Sequence, residues 1–353
     1  MSAAIYLDYQ ATTPLAPEAF AAMEPWLKDK FWNPHSTHVG GRQAAAAVEV
    51  AREQVAALLP AGGRVIFTSG ATEAINLAIK GCGLPVSAMA TEHAAVLDCV
   101  ENVGGEILSA REDGLAAAIP HGKKLLAMMM VNNEIGTVQP IKDTAGLVHA
   151  MTDSVLLCDA VQAYGRFTIP EGPDMIAISA HKIHGPKGIG ALWVRNGIKL
   201  SPQLLGGGQE QGLRSGTLSP ALCVGFGEAA EIAAQRMKSD MEHAKVLWDR
   251  AIELFSDWTV NGSIPLRYKG NLNIRRDGLD VARLMSECRE VMFSAGSACA
   301  SGSGRPSHVL RAIGLSDAQA KSSIRLGWGR YTTMEDIERA AALINAAVER
   351  QLG

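Results

Sequence analysis

Between about residues 64 and 195, short apolar runs alternate with stretches of helical periodicity, the pattern of a largely parallel α/β sheet with helical crossovers. The runs predict strands over Arg64–Thr68, Pro85–Ala90, Lys124–Val131, Ser154–Cys158 and Asp174–Ser179. Ile189–Arg195 follows so soon after the Gly185-Pro-Lys-Gly188 turn that it reads as an antiparallel or edge neighbour. Upstream, alanine-rich Gln43–Leu59 predicts a long helix stopped by Pro60 and Gly62-Gly63. Beyond Gly206-Gly207-Gly208 the pattern is helical from Pro220 to about Arg250. The remainder mixes strand-like Leu272–Arg275 and Ser323–Leu326 with helices at Asp280–Cys288 and Met334–Arg350, a second, smaller α+β unit. The low-complexity run Ser294-Ala-Gly-Ser-Ala-Cys-Ala-Ser-Gly-Ser-Gly304 is too small and flexible to pack as an element.

Composition narrows the class. The 353 residues are 47% hydrophobic and 20% charged, which suits a globular enzyme and excludes disorder, collagen and coiled coil. The charge balance, 33 − 36 = −3, gives no electrostatic footprint for nucleic acid or an anionic membrane. No apolar run approaches the ~18 residues of a membrane span, and the N-terminus has no basic region or apolar core of a signal peptide. Cys82, Cys99, Cys158, Cys223, Cys288 and Cys299 form no C-x-x-C pair, so neither a disulfide framework nor a zinc site is signalled, and the location reads as cytoplasmic.

Ligands in open α/β sheets bind outside the carboxyl ends of the strands. Here every such end carries polar residues: Thr68-Ser-Gly-Ala-Thr-Glu73, Thr91-Glu92-His93, Asn132-Asn133-Glu134, Asp159 with Gln162, and Ser179-Ala180-His181-Lys182. Together they describe a single site. Ser69–Thr72 opens the helix Ala74–Lys80, and its free amides suit a phosphate as well as an ordinary cap. Lys182 reads either as a lysine reaching solvent or as one desolvated for Schiff-base chemistry. Asp159 favours the second, because pyridoxal phosphate needs a lysine, a carboxylate on its ring nitrogen and phosphate donors. His93 suits stacking on a flat cofactor and carrying a proton, or capping the helix that follows it. Five cysteines sit in apolar or helical settings and read as packing residues, whereas Cys299 lies among small residues as a reactive thiol.

These motifs carry a family resemblance. Tyr6-Leu-Asp-Tyr-Gln-Ala-Thr-Thr-Pro14, Thr68–Glu73, Thr91–His93, Val131-Asn-Asn-Glu-Ile-Gly136, His181–Gly188, Arg214-Ser-Gly-Thr217 and Gly296-Ser-Ala-Cys299 together resemble the cysteine desulfurases, in the NifS/IscS-like branch of the class V aminotransferases. The resemblance implies the aspartate aminotransferase-like fold type I: a large cofactor domain with a mainly parallel sheet over residues 14–245, and a small α+β domain from 1–13 and 246–353. It implies pyridoxal 5′-phosphate as cofactor, a homodimer, L-cysteine as substrate, and a sulfur-acceptor protein such as an iron–sulfur scaffold or a tRNA-thiolation enzyme. It implies no direct contact with nucleic acid or membrane. Lys182 matches the Schiff-base lysine, His93 the stacked histidine, Asp159 the ring-nitrogen partner and Gln162 the contact to the phenolic oxygen. Ala71, Thr72, Ser179 and His181 match phosphate contacts, and Thr217 matches one supplied by the other subunit. Asn133 matches a contact to cofactor and substrate, Arg325 the clamp on the substrate carboxylate, and Cys299 the persulfide-forming cysteine. No resident metal is implied beyond transient iron–sulfur contact at Cys299. Selenocysteine lyase or another class V activity is the alternative. Two departures stand out: Gly327 occupies a place where the family usually has serine, and longer relatives extend beyond the position of Gly353 in a scaffold-docking tail.

Overall fold

The computed structural model describes residues 4–119, 122–151, 153–295 and 306–353. Its centre is a seven-stranded sheet in the order Gly63–Thr68, Gly190–Arg195, Met175–Ser179, Val155–Asp159, Leu125–Met129, Val86–Met89, Glu106–Leu108. All pairings are parallel except those of Gly190–Arg195, which runs against both neighbours. That strand is therefore antiparallel, as expected, but it is not an edge; Gly63–Thr68 and Glu106–Leu108 hold the edges. The reason lies in its side chains. Ala191 and Trp193 enter the core on one face of the sheet while Leu192 and Val194 enter the core on the other, so both faces are covered.

Several boundaries shift from the sequence reading. The helix after the first strand starts at Ala71 and runs to Cys82. The helix expected from Gln43 begins at Val39 and ends at Ala56, because His38 Nδ1 accepts from Gly41 N at 3.1 Å and caps it. Asp159 is the last residue of its strand rather than the first beyond it. Apolar periodicity did not reveal the helix Pro17–Lys28 or the short strands Ile5–Tyr6, Glu106–Leu108, Thr259–Val260 and Val291–Met292. Strands of two or three residues carry too little pattern to detect.

A second buried cluster surrounds an antiparallel sheet ordered Ser323–Gly327, Asn271–Arg275, Thr259–Val260. The N-terminal segment belongs with it: Ile5–Tyr6 pairs with Val291–Met292, and Ile5 and Leu7 are buried among Leu272, Ile324 and Trp328. The helix Pro220–Leu254, 35 residues long, spans both clusters. Phe226, Ala229 and Ala233 pack under the large sheet, and Ala244, Leu247 and Ala251 pack in the second cluster. Among the described residues no helix is long and apolar enough to cross a membrane.

Candidate active site

The carboxyl ends of the parallel strands open into a cavity of about 860 Å³. Ser69 to Thr72, Asp159 and Ser179 line it from the sheet, His93 and Asn133 from the loops beyond, and Gln10, His308 and Arg325 close it. The structure thus gathers Ala71, Thr72, His93, Asn133, Asp159, Gln162, Ser179, His181, Lys182 and Arg325 around one space. Thr217 is exposed and does not line it. Cys299 lies outside the described residues.

The helix Ala71–Cys82 points its N-terminus at the cavity with no side chain capping it, so its first amides are available to an anion. Gly190 makes that position possible. A Cβ there would lie 2.8 Å from the Gly70 backbone, so only glycine lets the antiparallel strand back so closely onto the turn. Glu73 braces the turn, its Oε2 accepting from Ser69 N at 2.8 Å and its Oε1 from Arg214 Nε at 2.7 Å.

Lys182 ends a short helical turn after Ser179. Its Nζ donates to the carbonyls of Gln10 and Ala11, the latter at 2.8 Å. Burial, then the nearby Arg166 and Arg325 charges, lower its pKa to about 7, so a large neutral fraction exists at physiological pH. Arg166 also fixes its surroundings, donating through Nη2 to Lys182 O at 2.7 Å and through Nη1 to Gln162 Oε1 at 2.6 Å. That contact leaves the Gln162 amide nitrogen as its donor, held by Gln10 O at 3.0 Å. His181, lowered to about 4 by burial and by Lys182, is neutral and meets Thr12 Oγ1 at 3.0 Å through Nδ1.

Asp159 is buried, and burial raises its pKa while a hydrogen bond from Val161 N and the charges of His93 and Lys182 act the other way. A cation brought to this carboxyl would ionise it. His93 caps the helix that follows it and also faces the cavity. Its Nδ1 accepts from Ala95 N at 3.0 Å, capping Ala94–Asn102, yet the ring lines the cavity and burial lowers its pKa. With Nδ1 accepting, the neutral ring carries its proton on Nε2. Asn133 Oδ1 is a buried oxygen without a partner among the described residues, and Arg325, 1% exposed, crosses to donate to Asn133 O at 3.1 Å.

Besides Gln10 and His308, three residues around the site were not singled out in sequence. Glu92 is wholly buried beside His93, its Oε1 accepting from Met129 N at 2.8 Å and its Oε2 without a partner among the described residues; burial holds its pKa well above the usual carboxylate range. Arg166 and Asp8 are the others. Asp8 and Glu92 stood inside quoted motifs, and Arg166 lies one helical turn after Gln162, so spacing alone offered the signal.

A neutral-leaning lysine, a buried carboxyl, an uncapped helix N-terminus and a buried guanidinium around one cavity fit a phosphorylated pyridine aldehyde and an amino acid. The comparisons agree. The aminotransferase class-V family model matches residues 5–340, and the chain belongs to that family, whose chemistry depends on pyridoxal phosphate. Within it, the chain is 41% identical to the cysteine desulfurase IscS of Rickettsia akari (strain Hartford), over 98% of this chain and 91% of that one. Among solved structures it resembles the NifS-like protein from Rickettsia africae ESF-5, with a TM-score of 0.90 and 27% identity, covering 98% of this chain and 99% of that one. It also resembles SspA in complex with cysteine, with a TM-score of 0.80 and 34% identity, covering 93% and 99% of the two chains.

Proposed function

We propose that this protein is a cysteine desulfurase, removing sulfur from L-cysteine to leave L-alanine and passing it on as a persulfide on Cys299. The observation that carries the reading is Lys182, with a pKa of about 7, in one cavity with the buried carboxyl of Asp159 and the buried guanidinium of Arg325. Bound pyridoxal 5′-phosphate supplies an aldehyde and an electron-withdrawing ring. Lys182 would hold the aldehyde carbon and Asp159 the ring nitrogen, while His93, lining the same cavity, would face the ring and carry a proton. The amides of Ala71 and Thr72, with Ser179 and His181, would hold the phosphate, and Gln162 would donate to the phenolic oxygen. Arg325 and Asn133 orient the substrate. The Cys299 thiolate attacks the substrate sulfur, the carbon–sulfur bond breaks, and the carbon is left to be protonated.

Two further readings rest on the same frame. The active form is a homodimer in which Thr217 serves the partner's phosphate site, a reading supported by its exposure outside its own chain's cavity. The chain divides into a large domain over 14–245 and a small domain from 1–13 and 246–353. The separate cores support this, since Ile5 and Leu7 pack with residues from Ala244 onward. The net charge of −3 and the free described cysteines accord with a cytoplasmic enzyme handing sulfur to an acceptor protein.

The test is to supply the holoenzyme with L-cysteine and a reductant and to quantify alanine and sulfide. Stoichiometric alanine and sulfide, both lost in Lys182→Ala, are expected. Pyruvate in place of alanine, or alanine formed without sulfide, would overturn the reading.

A further inference from the structure

Arg325 already has a carboxylate. Its Nη2 donates to Asp8 Oδ1 at 2.7 Å and to Ser294 Oγ at 3.2 Å, and Ser294 Oγ donates to the same Asp8 oxygen at 2.9 Å. The backbone holds this triad in place. Ser294 and Arg325 exchange both amide bonds, at 2.8 and 3.2 Å, and Gly327 N donates to Leu7 O at 2.8 Å beside Asp8. Three segments remote in sequence therefore converge to set one acid against a guanidinium that is 1% exposed. Nη1 is taken by Asn133 O, and Nε has no partner among the described residues, so donor capacity remains beside the pair.

A substrate carboxylate reaching Arg325 meets the negative charge of Asp8 at close range in a site of low dielectric, where like charges repel strongly. We propose that Asp8 is an internal counterion of Arg325. It competes with the carboxylate of the bound amino acid and keeps that contact weak enough for the product to leave. Asp8 is thus a positioning residue, acting on the ligand only through Arg325. The inference rests on the reading of Arg325 as the carboxylate contact.

Asp8→Asn tests it, because asparagine keeps an oxygen for Arg325 and Ser294 and loses only the charge. Binding of L-alanine and of L-alaninamide to the holoenzyme is measured calorimetrically for wild type and variant. Roughly tenfold tighter L-alanine binding in the variant, with L-alaninamide unchanged, is expected. Unchanged or weaker L-alanine binding, or equal tightening of both ligands, overturns the proposal. If the wild type itself binds both ligands equally, the reading of Arg325 fails instead, and the role of Asp8 with it. Should Asp8→Asn not fold, Ser294→Ala carries the test. Without the hydroxyl proton, the Asp8 charge bears on Arg325 alone, and L-alanine binding weakens two- to threefold while L-alaninamide binding holds; no change there is equally decisive against the proposal.

Discussion

Gln10 occupies the space that a side chain on Gly327 would need: a Cβ there would lie 1.6 Å from Gln10 Oε1. Gly327 is thus matched to a neighbour from the N-terminal segment. Gln10 Nε2 donates to Gly270 O at 2.8 Å, and Gln10 O accepts from both Lys182 and Gln162, so its position reaches the cavity.

Gly327→Ser should consequently destabilise the protein by about 1–3 kcal/mol, the usual range for overpacking. It should also weaken cofactor retention by displacing Gln10. Adding Gln10→Ala should recover most of the loss, a coupling that a double-mutant cycle by chemical denaturation measures. Additive costs would show that the two positions are independent.

The lowered pKa of Lys182 predicts how the apoprotein takes up cofactor. Only the neutral amine attacks an aldehyde, so the capture rate should rise with pH through about 7 and level off above it. An ordinary exposed lysine would keep rising toward about 10.4. Arg166→Gln removes the largest cationic cause of the shift, second only to burial, and should move the midpoint upward. Stopped-flow absorbance across pH checks both profiles, and Lys182→Ala should give no covalent capture.

Glu92 predicts a pH dependence of stability. Its folded pKa is raised, so between the ordinary value of 4.5 and the folded value the native state binds more protons than the unfolded state. Stability therefore falls as pH rises through that window. Glu92→Gln cannot ionise and escapes this loss. Relative to wild type, the variant should gain stability from pH 5 to pH 8, as measured on the apoprotein by denaturant titration. A pH-independent difference between the two would mean that Glu92 does not stay protonated in the folded chain.

Cys299→Ser should leave cofactor binding intact and abolish persulfide formation, because a hydroxyl is far less nucleophilic toward sulfur than a thiolate. Cys99, Cys158, Cys223 and Cys288 are buried and Cys82 partly so, and replacing each by alanine should cost on the order of 1 kcal/mol of stability with sulfur transfer retained. Mass mapping of persulfide after one turnover distinguishes the six; label on any cysteine but Cys299 contradicts the assignment.

Six of the seven strands of the sheet were legible in the sequence because they are largely buried and read as apolar runs, from Arg64–Thr68 to Ile189–Arg195; the exposed edge strand Glu106–Leu108 was not. The polar clusters located the cavity for the same reason, each standing at or just beyond the end of a buried strand. What escaped was set by long-range contacts. Asp8, Ser294 and Arg325 meet only after the chain ends cross, and no local pattern encodes that pairing. The interior place of Gly190–Arg195 likewise depends on which strand pairs beyond it, and Arg166 acts through Lys182 and Gln162 rather than through a motif.

The crossing of the chain ends has a consequence for synthesis. Residues 5–9 are among the first to leave the ribosome, yet their partners, Val291–Met292 for Ile5–Tyr6 and Gly327 for Leu7 and Tyr9, are among the last. The large sheet has all its strands by Arg195 and can form earlier, since loop closure over so long a span delays the pairing of the ends. The guanidinium of Arg325, carried on Ser323–Gly327, therefore joins the cavity last. A nascent chain stalled before residue 323 would carry a formed cofactor cradle but no means of gripping an amino acid, and so would be unable to begin turnover on free cysteine.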